Sequence, residues 1–352
     1  MTDREAKRER LAAVLDARGL DEIVLRDPAD LAWYLDGARV HVVPGTPVVE
    51  VSVTRAGEEL RTTVIEAPRL AAEELPADAP APVAVPWWEP LDAAAPGAVR
   101  GSDVPRGAEH DVADDLVAAR SALTSTEVER FRALGRHTAA ATASALRDAS
   151  PRDSEFALAG AAARRLYERG IEPVVVLVAG AERLPLHRHP LPTAAALGDR
   201  TMLVVCGRRH GLVCAVTRMR AFSPLTAAER DRYARLLAVE AAYLDATAPG
   251  ARIGDIVAAG AAAYAEHGFD ADEWHRHHQG GPAGYMTRDY LASPQTDHVA
   301  VDQQAFAWNP SGGGFKVEDT VLATRAGLEV LSADPDWPAR TVAGRQRPDV
   351  LV

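Results

Sequence analysis

The sequence predicts an α+β protein in two parts: a small mixed domain over residues 1–120, then a domain over 121–352 in which helices cover a curved antiparallel sheet. Three observations carry that prediction. The chain has 352 residues, enough for two hydrophobic cores and oversized for one. Its composition, 47% apolar and 25% charged, is that of a globular protein rather than a disordered or fibrous one. Its patterning also changes near Ser121, from short strand-like runs to long periodic helices that come in pairs between strands.

In the first part, a charged helix ends near Gly19 and the apolar strand EIVL follows. DPADLAWYL reads as a helical turn, and HVVP, VVEVSVT and LRTTVIEA read as strands. From Glu74 to Gly107 proline, alanine and glycine dominate, which suits surface loops around one short buried strand at 83–88, with the Trp87–Trp88 pair packed.

The second part opens with a helix carrying a capping box from Thr124 to Glu127 and apolar residues at Val128, Phe131 and Leu134; it stops before Pro151. A second helix closes at Gly170 and feeds the strand VVVLVAG. RTMLVVCG and HGLVCAVTRMRAF read as paired strands joined by a solvated turn at CGRRHG. Two more helices follow, the first capped from Thr226 to Glu229, and QAFAWNP and VEDTVLATRAGLEVL return to strand. SGGGF, with no phosphate-loop spacing, reads as a turn.

Lys plus Arg number 39 against 50 Asp plus Glu, a formal charge of −11. That field disfavours nucleic acid and favours neutral or cationic small ligands. No apolar run has the length of a bilayer span and the charged start lacks a secretory core, so the expected location is cytoplasmic, with no membrane partner. Cys206 and Cys214 are then expected as buried thiols.

One stretch is dense in chemistry: HRHHQGGPAGYMTRD, residues 275–289. Together with HGLVCAVTRMRAF, VEDTVLATRAG and DLAWYLDGARV, it resembles the pita-bread superfamily of aminopeptidase P, prolidase, methionine aminopeptidase and creatinase. The resemblance implies a creatinase-type N-terminal domain, a pita-bread C-terminal domain and a homodimer. It also implies a pair of metal ions held by two aspartates, a histidine and two glutamates, since close dications need bridging carboxylates. Position by position those ligands fall on Val204, Ala215, Gly281, Asn309 and Glu318. Only Glu318 can ligate, so a dinuclear centre is not expected, and neither metal nor any other cofactor is assigned. Two rival readings restore a metal: a register that puts His278 on the metal histidine, or a new single-ion site on His275, His277 and His278, with His275 and His277 on one face of a strand.

Creatinase implies that the fold also hosts metal-free C–N hydrolysis. The candidate catalytic residues are therefore His189, in the family's His-Pro-Thr position, His277 and Glu318, with a neutral imidazole as the proton-transfer group. Glu318 should be buried against a cation, with Arg288 and His277 the obvious partners, and could serve as base or as anchor for a substrate ammonium. His187, His278, Gln279, Tyr285, Arg288 and Asn309 are the candidate substrate contacts. Three functions follow: a metal-independent enzyme cleaving a C–N bond, or eliminating, on a small amino-acid-like molecule; a pocket that binds without turnover; or an Xaa-Pro-type metallopeptidase with remodelled ligands.

Overall fold

The structure is a computed structural model describing residues 2–43, 45–92 and 97–352. It divides into two compact units, Met1–Thr126 and Glu127–Val352.

In the first unit, helix α1 (Asp3–Arg18) starts at a capping box between Thr2 and Glu5 and stops at Gly19, whose φ of 64° only glycine adopts without strain. It buries Leu11 and Leu15. Strand β1 (Glu22–Leu25) is buried along its length, and α2 (Pro28–Tyr34) is capped by Asp27. Strands β2 (Val49–Thr54) and β3 (Glu58–Thr63) pair antiparallel, and a short helix α3 (Ala67–Arg69) widens into a π-turn over Leu70–Glu74. With β4 (Val83–Val85), β5 (Arg100–Ser102) and β6 (His110–Asp111) they form a mixed sheet of order β4-β3-β2-β1-β5-β6, and α4 (Ala113–Ser121) closes the unit. Two expectations fail here. HVVP is no strand: His41 makes an isolated bridge to Pro47, while Val42 and Val43 are exposed. The strand near Val83 is an exposed edge, and Trp87 and Trp88 contact each other edge to face while remaining 62% and 68% exposed. Proline on both sides of the strand leaves no neighbouring ladder to bury the rings.

The second unit contains α5 (Ser125–Asp148) and α6 (Glu155–Tyr167), both with an apolar face turned inward. An antiparallel sheet follows, of β7 (Glu172–Gly180), β8 (Arg200–Arg209) and β9 (Leu212–Ala221). The β8–β9 turn is the pair His210–Gly211, both at positive φ, the geometry that matches a two-residue loop to strand twist; His210 is exposed. Helix α7 (Ala227–Ala246) carries the capping box Thr226–Glu229, and α8 (Ile253–Glu266) packs with it. Their buried Tyr243, Ile256 and Tyr264 join Phe306 and Trp308 in one core. A second antiparallel sheet runs β10 (Gly280–Ala283), β11 (Gln304–Trp308), β14 (Asp319–Thr324) and β15 (Gly327–Val330), with hairpins β12/β13 (Ser311–Gly312, Phe315–Lys316) and β16/β17 (Ala339–Val342, Arg345–Pro348). The bridge Thr217–Glu318 and the Thr320 hydroxyl, bonded to both backbone groups of Ala215, sew the two sheets into one curved surface. This is the expected α+β pita-bread architecture. Among the described residues no helix is long and apolar enough to cross a membrane.

Candidate functional site

The seam between the two sheets of the second unit is where chemistry collects. Around residues 316–319 the chain is extended, so alternate side chains share a face. Lys316 and Glu318 point one way: the Lys316 ammonium lies 3.0 Å from Glu318 Oε2. The Arg288 guanidinium donates to Oε1 at 2.8 Å, and the Thr217 hydroxyl to Oε2 at 2.6 Å. Asp319 points the other way, accepting from Arg218, Ser332 and Arg347, while Arg347 also pairs with Glu240. This rear network is buried throughout and fixes the strand that presents Glu318.

Three imidazoles meet beside Glu318. The ring nitrogens of His189, His277 and His278 lie within 4.8 Å of one another. His277 Nε2 is 3.0 Å from His189 Nε2, and His277 Nδ1 is 3.0 Å from Ser311 Oγ. His189 sits on the loop after β7, where Val178 donates to the Pro190 carbonyl and Arg188 reaches both Ser311 and Glu273. His275 stands apart. The segment Glu273–Arg276 is a 3-10 turn rather than a strand, so His275 is carried outward against Trp274 and Asp272. The single-ion reading on His275, His277 and His278 therefore gives way to His189, His277 and His278.

The other expected residues divide cleanly. His278, Arg288 and Asn309 line a cavity of about 390 Å³ together with His189, Lys316 and Glu318. Val175, Leu177, Val204 and Leu291 supply its apolar wall. Gln279 does not line it: its amide is used by Tyr243, Tyr264 and the carbonyls of Trp274 and His277, a structural role that orders the histidine segment. Tyr285 is buried with its hydroxyl on Glu127, and His187 is exposed outside the cavity wall. Glu318 pairs with Arg288 as expected but not with His277, which is taken by His189 and Ser311. Sequence reasoning missed Lys316, Thr217 and Ser311. The two-residue spacing of Lys316 and Glu318 was the available signal.

Burial alone would push the Glu318 carboxyl up, but the Lys316 ammonium and the Arg288 guanidinium hold it well below the usual carboxylate range. Burial, with Lys316 next, lowers His277 to about 2; burial, with Arg288 next, lowers His278 to about 4; His189 is lowered by the same burial and by Lys316. All three are neutral at pH 7. Burial pushes the Cys206 and Cys214 thiols up to about 12, so these unpaired cysteines are packing groups and not nucleophiles.

Residues 129–325 match metallopeptidase family M24, more than half of the chain. The chain belongs to that family. No curated protein sequence matches it. Among solved structures it is similar to the prolidase from Pyrococcus horikoshii OT3 (16% identity, TM-score 0.77, 93% of this chain and 98% of that one). The X-Pro aminopeptidase from Thermotoga maritima MSB8 matches with 14% identity and TM-score 0.77, over 98% and 99% of the two chains. The N-terminal domain of the FACT complex subunit SPT16 from Cicer arietinum (chickpea) matches at 13% identity and TM-score 0.69, over 94% and 97%. At such identities these likenesses establish the fold.

The paired metal ions of the M24 family do not fit the donor set of this member. Val204 and Ala215 offer methyl groups, Asn309 an amide, and Gly281 nothing. Nor could Gly281 be a histidine: its φ is +150°, and a Cβ there would lie 2.7 Å from the Tyr290 carbonyl. Beside it, a Cβ on Gly280 would meet the Ala307 carbonyl at 2.0 Å. The remaining carboxylate, Glu318, already holds two protein cations.

Proposed function

We propose that this M24 member is a hydrolase-type enzyme that works without the family's paired ions, using acid/base chemistry on a small, nitrogen-containing, amino-acid-like molecule. The observation that carries it is a pair of built-in monocations: Lys316 and Arg288 flank Glu318 next to three imidazoles. His189, at the open side of the cluster, takes the proton of an attacking water as the new C–O bond forms at a carbonyl carbon. It then returns that proton to the departing nitrogen as the C–N bond breaks. His277, 3.0 Å from His189, holds the ring in line. Asn309 donates to the carbonyl oxygen as charge grows there. Glu318 is too strongly held by cations to act as base, and its role is to position them.

A specific observation supports a second reading. The His189, His277 and His278 nitrogens have the spread of a three-histidine site for one transition-metal ion, with Ser311 orienting His277 from behind.

The purified protein, assayed by mass spectrometry against N-acyl and N-carbamoyl amino acids before and after chelation, separates these readings. Turnover that survives chelation and is lost in His189→Gln supports the first. Turnover that tracks one equivalent of zinc and needs His278 supports the second. Binding without turnover of any substrate would overturn both.

A further inference from the structure

Three residues of the cavity lining each carry a buried polar atom with no hydrogen-bond partner among the described residues: Arg288 Nε, a donor; Asn309 Oδ1, an acceptor; and His278 Nδ1. Buried polar groups are almost always satisfied, so unsatisfied ones that line a cavity describe the ligand that completes them. The formal charge of the wall is fixed by Lys316 and Arg288 against Glu318, an excess of one positive charge. The apolar part of the wall is Val175, Leu177, Val204 and Leu291, and Cys206, Thr287 and Tyr290 complete it. This local charge is opposite in sign to the −11 of the whole chain. In a cavity walled by low-dielectric side chains the near charges dominate.

We propose that the cavity selects a small carboxylate with an apolar side chain and a neighbouring N–H, such as an N-acyl amino acid, and rejects amines. The carboxylate lies against Arg288 and the Lys316 ammonium, in the direction of Arg288 Nε, and the N–H donates to Asn309 Oδ1. Glu318 keeps both cations oriented and screens one charge, so that a single carboxylate neutralises the site. The inference rests on this cavity being the functional site, but it needs no turnover.

Calorimetric titration of the full-length protein with N-acetyl-L-leucine, N-acetyl-L-leucinamide and L-leucinamide tests it. The acid is expected to bind at least about tenfold tighter than its neutral amide, with the cationic L-leucinamide weakest, and to weaken as salt is raised. Lys316→Gln should weaken the acid by about tenfold and leave the neutral amide little changed, while Lys316→Arg keeps the preference. The wild-type ligand series carries the test even where a variant is unstable. Equal or tighter binding of L-leucinamide, an acid affinity insensitive to Lys316→Gln in the folded protein, or no binding of the acid would overturn the proposal. Acid binding with no hydrolysis of any substrate defeats the proposed enzyme and leaves this inference standing; hydrolysis confined to cationic substrates does the reverse.

Discussion

Glu318 and Asp319 are neighbours in sequence, equally buried, and both bonded to two cationic side chains, yet they face different worlds. On the Asp319 side the charges bond one another: Asp319 accepts from Arg218, Ser332 and Arg347, Arg347 also donates to Glu240, and none of these residues lines the cavity beside Glu318. On the Glu318 side, Lys316 and Arg288 border the cavity, and Arg288 Nε has no partner among the described residues. The same residue types thus make a structural network on one face of a strand and a ligand-ready one on the other. What separates them is access to the cavity, not how many charges there are: Arg218 Nε also lacks a partner among the described residues, but Arg218 does not line the cavity.

The largest expected effect lies on the closed side. Asp319→Ala leaves Arg218 and Arg347 buried and undercompensated, a loss of about 3–5 kcal/mol, read from urea unfolding. Glu318→Gln should cost less, about 1–3 kcal/mol, because water entering the cavity can solvate the freed cations. Equal losses would break the comparison. Gly281→His, which restores a family ligand in name, should destabilise the second unit through the Tyr290 carbonyl and bind no paired ions, checked by thermal melting and metal analysis.

A subtler effect is in the pH dependence. The folded His277, lowered to about 2, stays unprotonated where an unfolded histidine, near pH 6.5, takes up a proton. Its contribution to stability is therefore complete above about pH 6.5 and declines as pH falls below it. His277→Asn should flatten the stability profile between about pH 6.5 and 4.5, above the range where Glu318 begins to lose its own contribution. A slope identical to that of the wild type would refute the neutral, buried state of His277. The smallest effect is expected of His187→Ala: ligand affinity unchanged in calorimetry, since His187 is exposed and outside the wall.

Much of the fold was legible because period and punctuation are local properties. The Thr226–Glu229 capping box, the helix stop at Gly19 and the continuous apolar runs after Arg200, joined by a two-residue turn, are all visible among near neighbours. HVVP and the Trp87–Trp88 strand misled for the converse reason. Apolar composition there looked like burial, but burial requires an opposing surface that no local pattern supplies. In the site, the residue types at the positions that the resemblance assigns to the ligands were readable, because they need no distances. Gln279 and Tyr285 misled because a polar side chain in a chemical stretch can turn either to the cavity or to the core.

Residue types and their local spacing, by themselves, determined the helices, most of the strands and the family, since each follows from chain stereochemistry and from which residue type stands at which position. The tertiary structure alone decided that Lys316, Arg288 and Thr217 converge on Glu318, that His189 rather than His275 completes the imidazole cluster, and that the cavity is positive within an acidic protein. Those facts depend on distances of a few ångströms between segments up to about a hundred residues apart, and electrostatic energy depends on such distances, not on sequence separation.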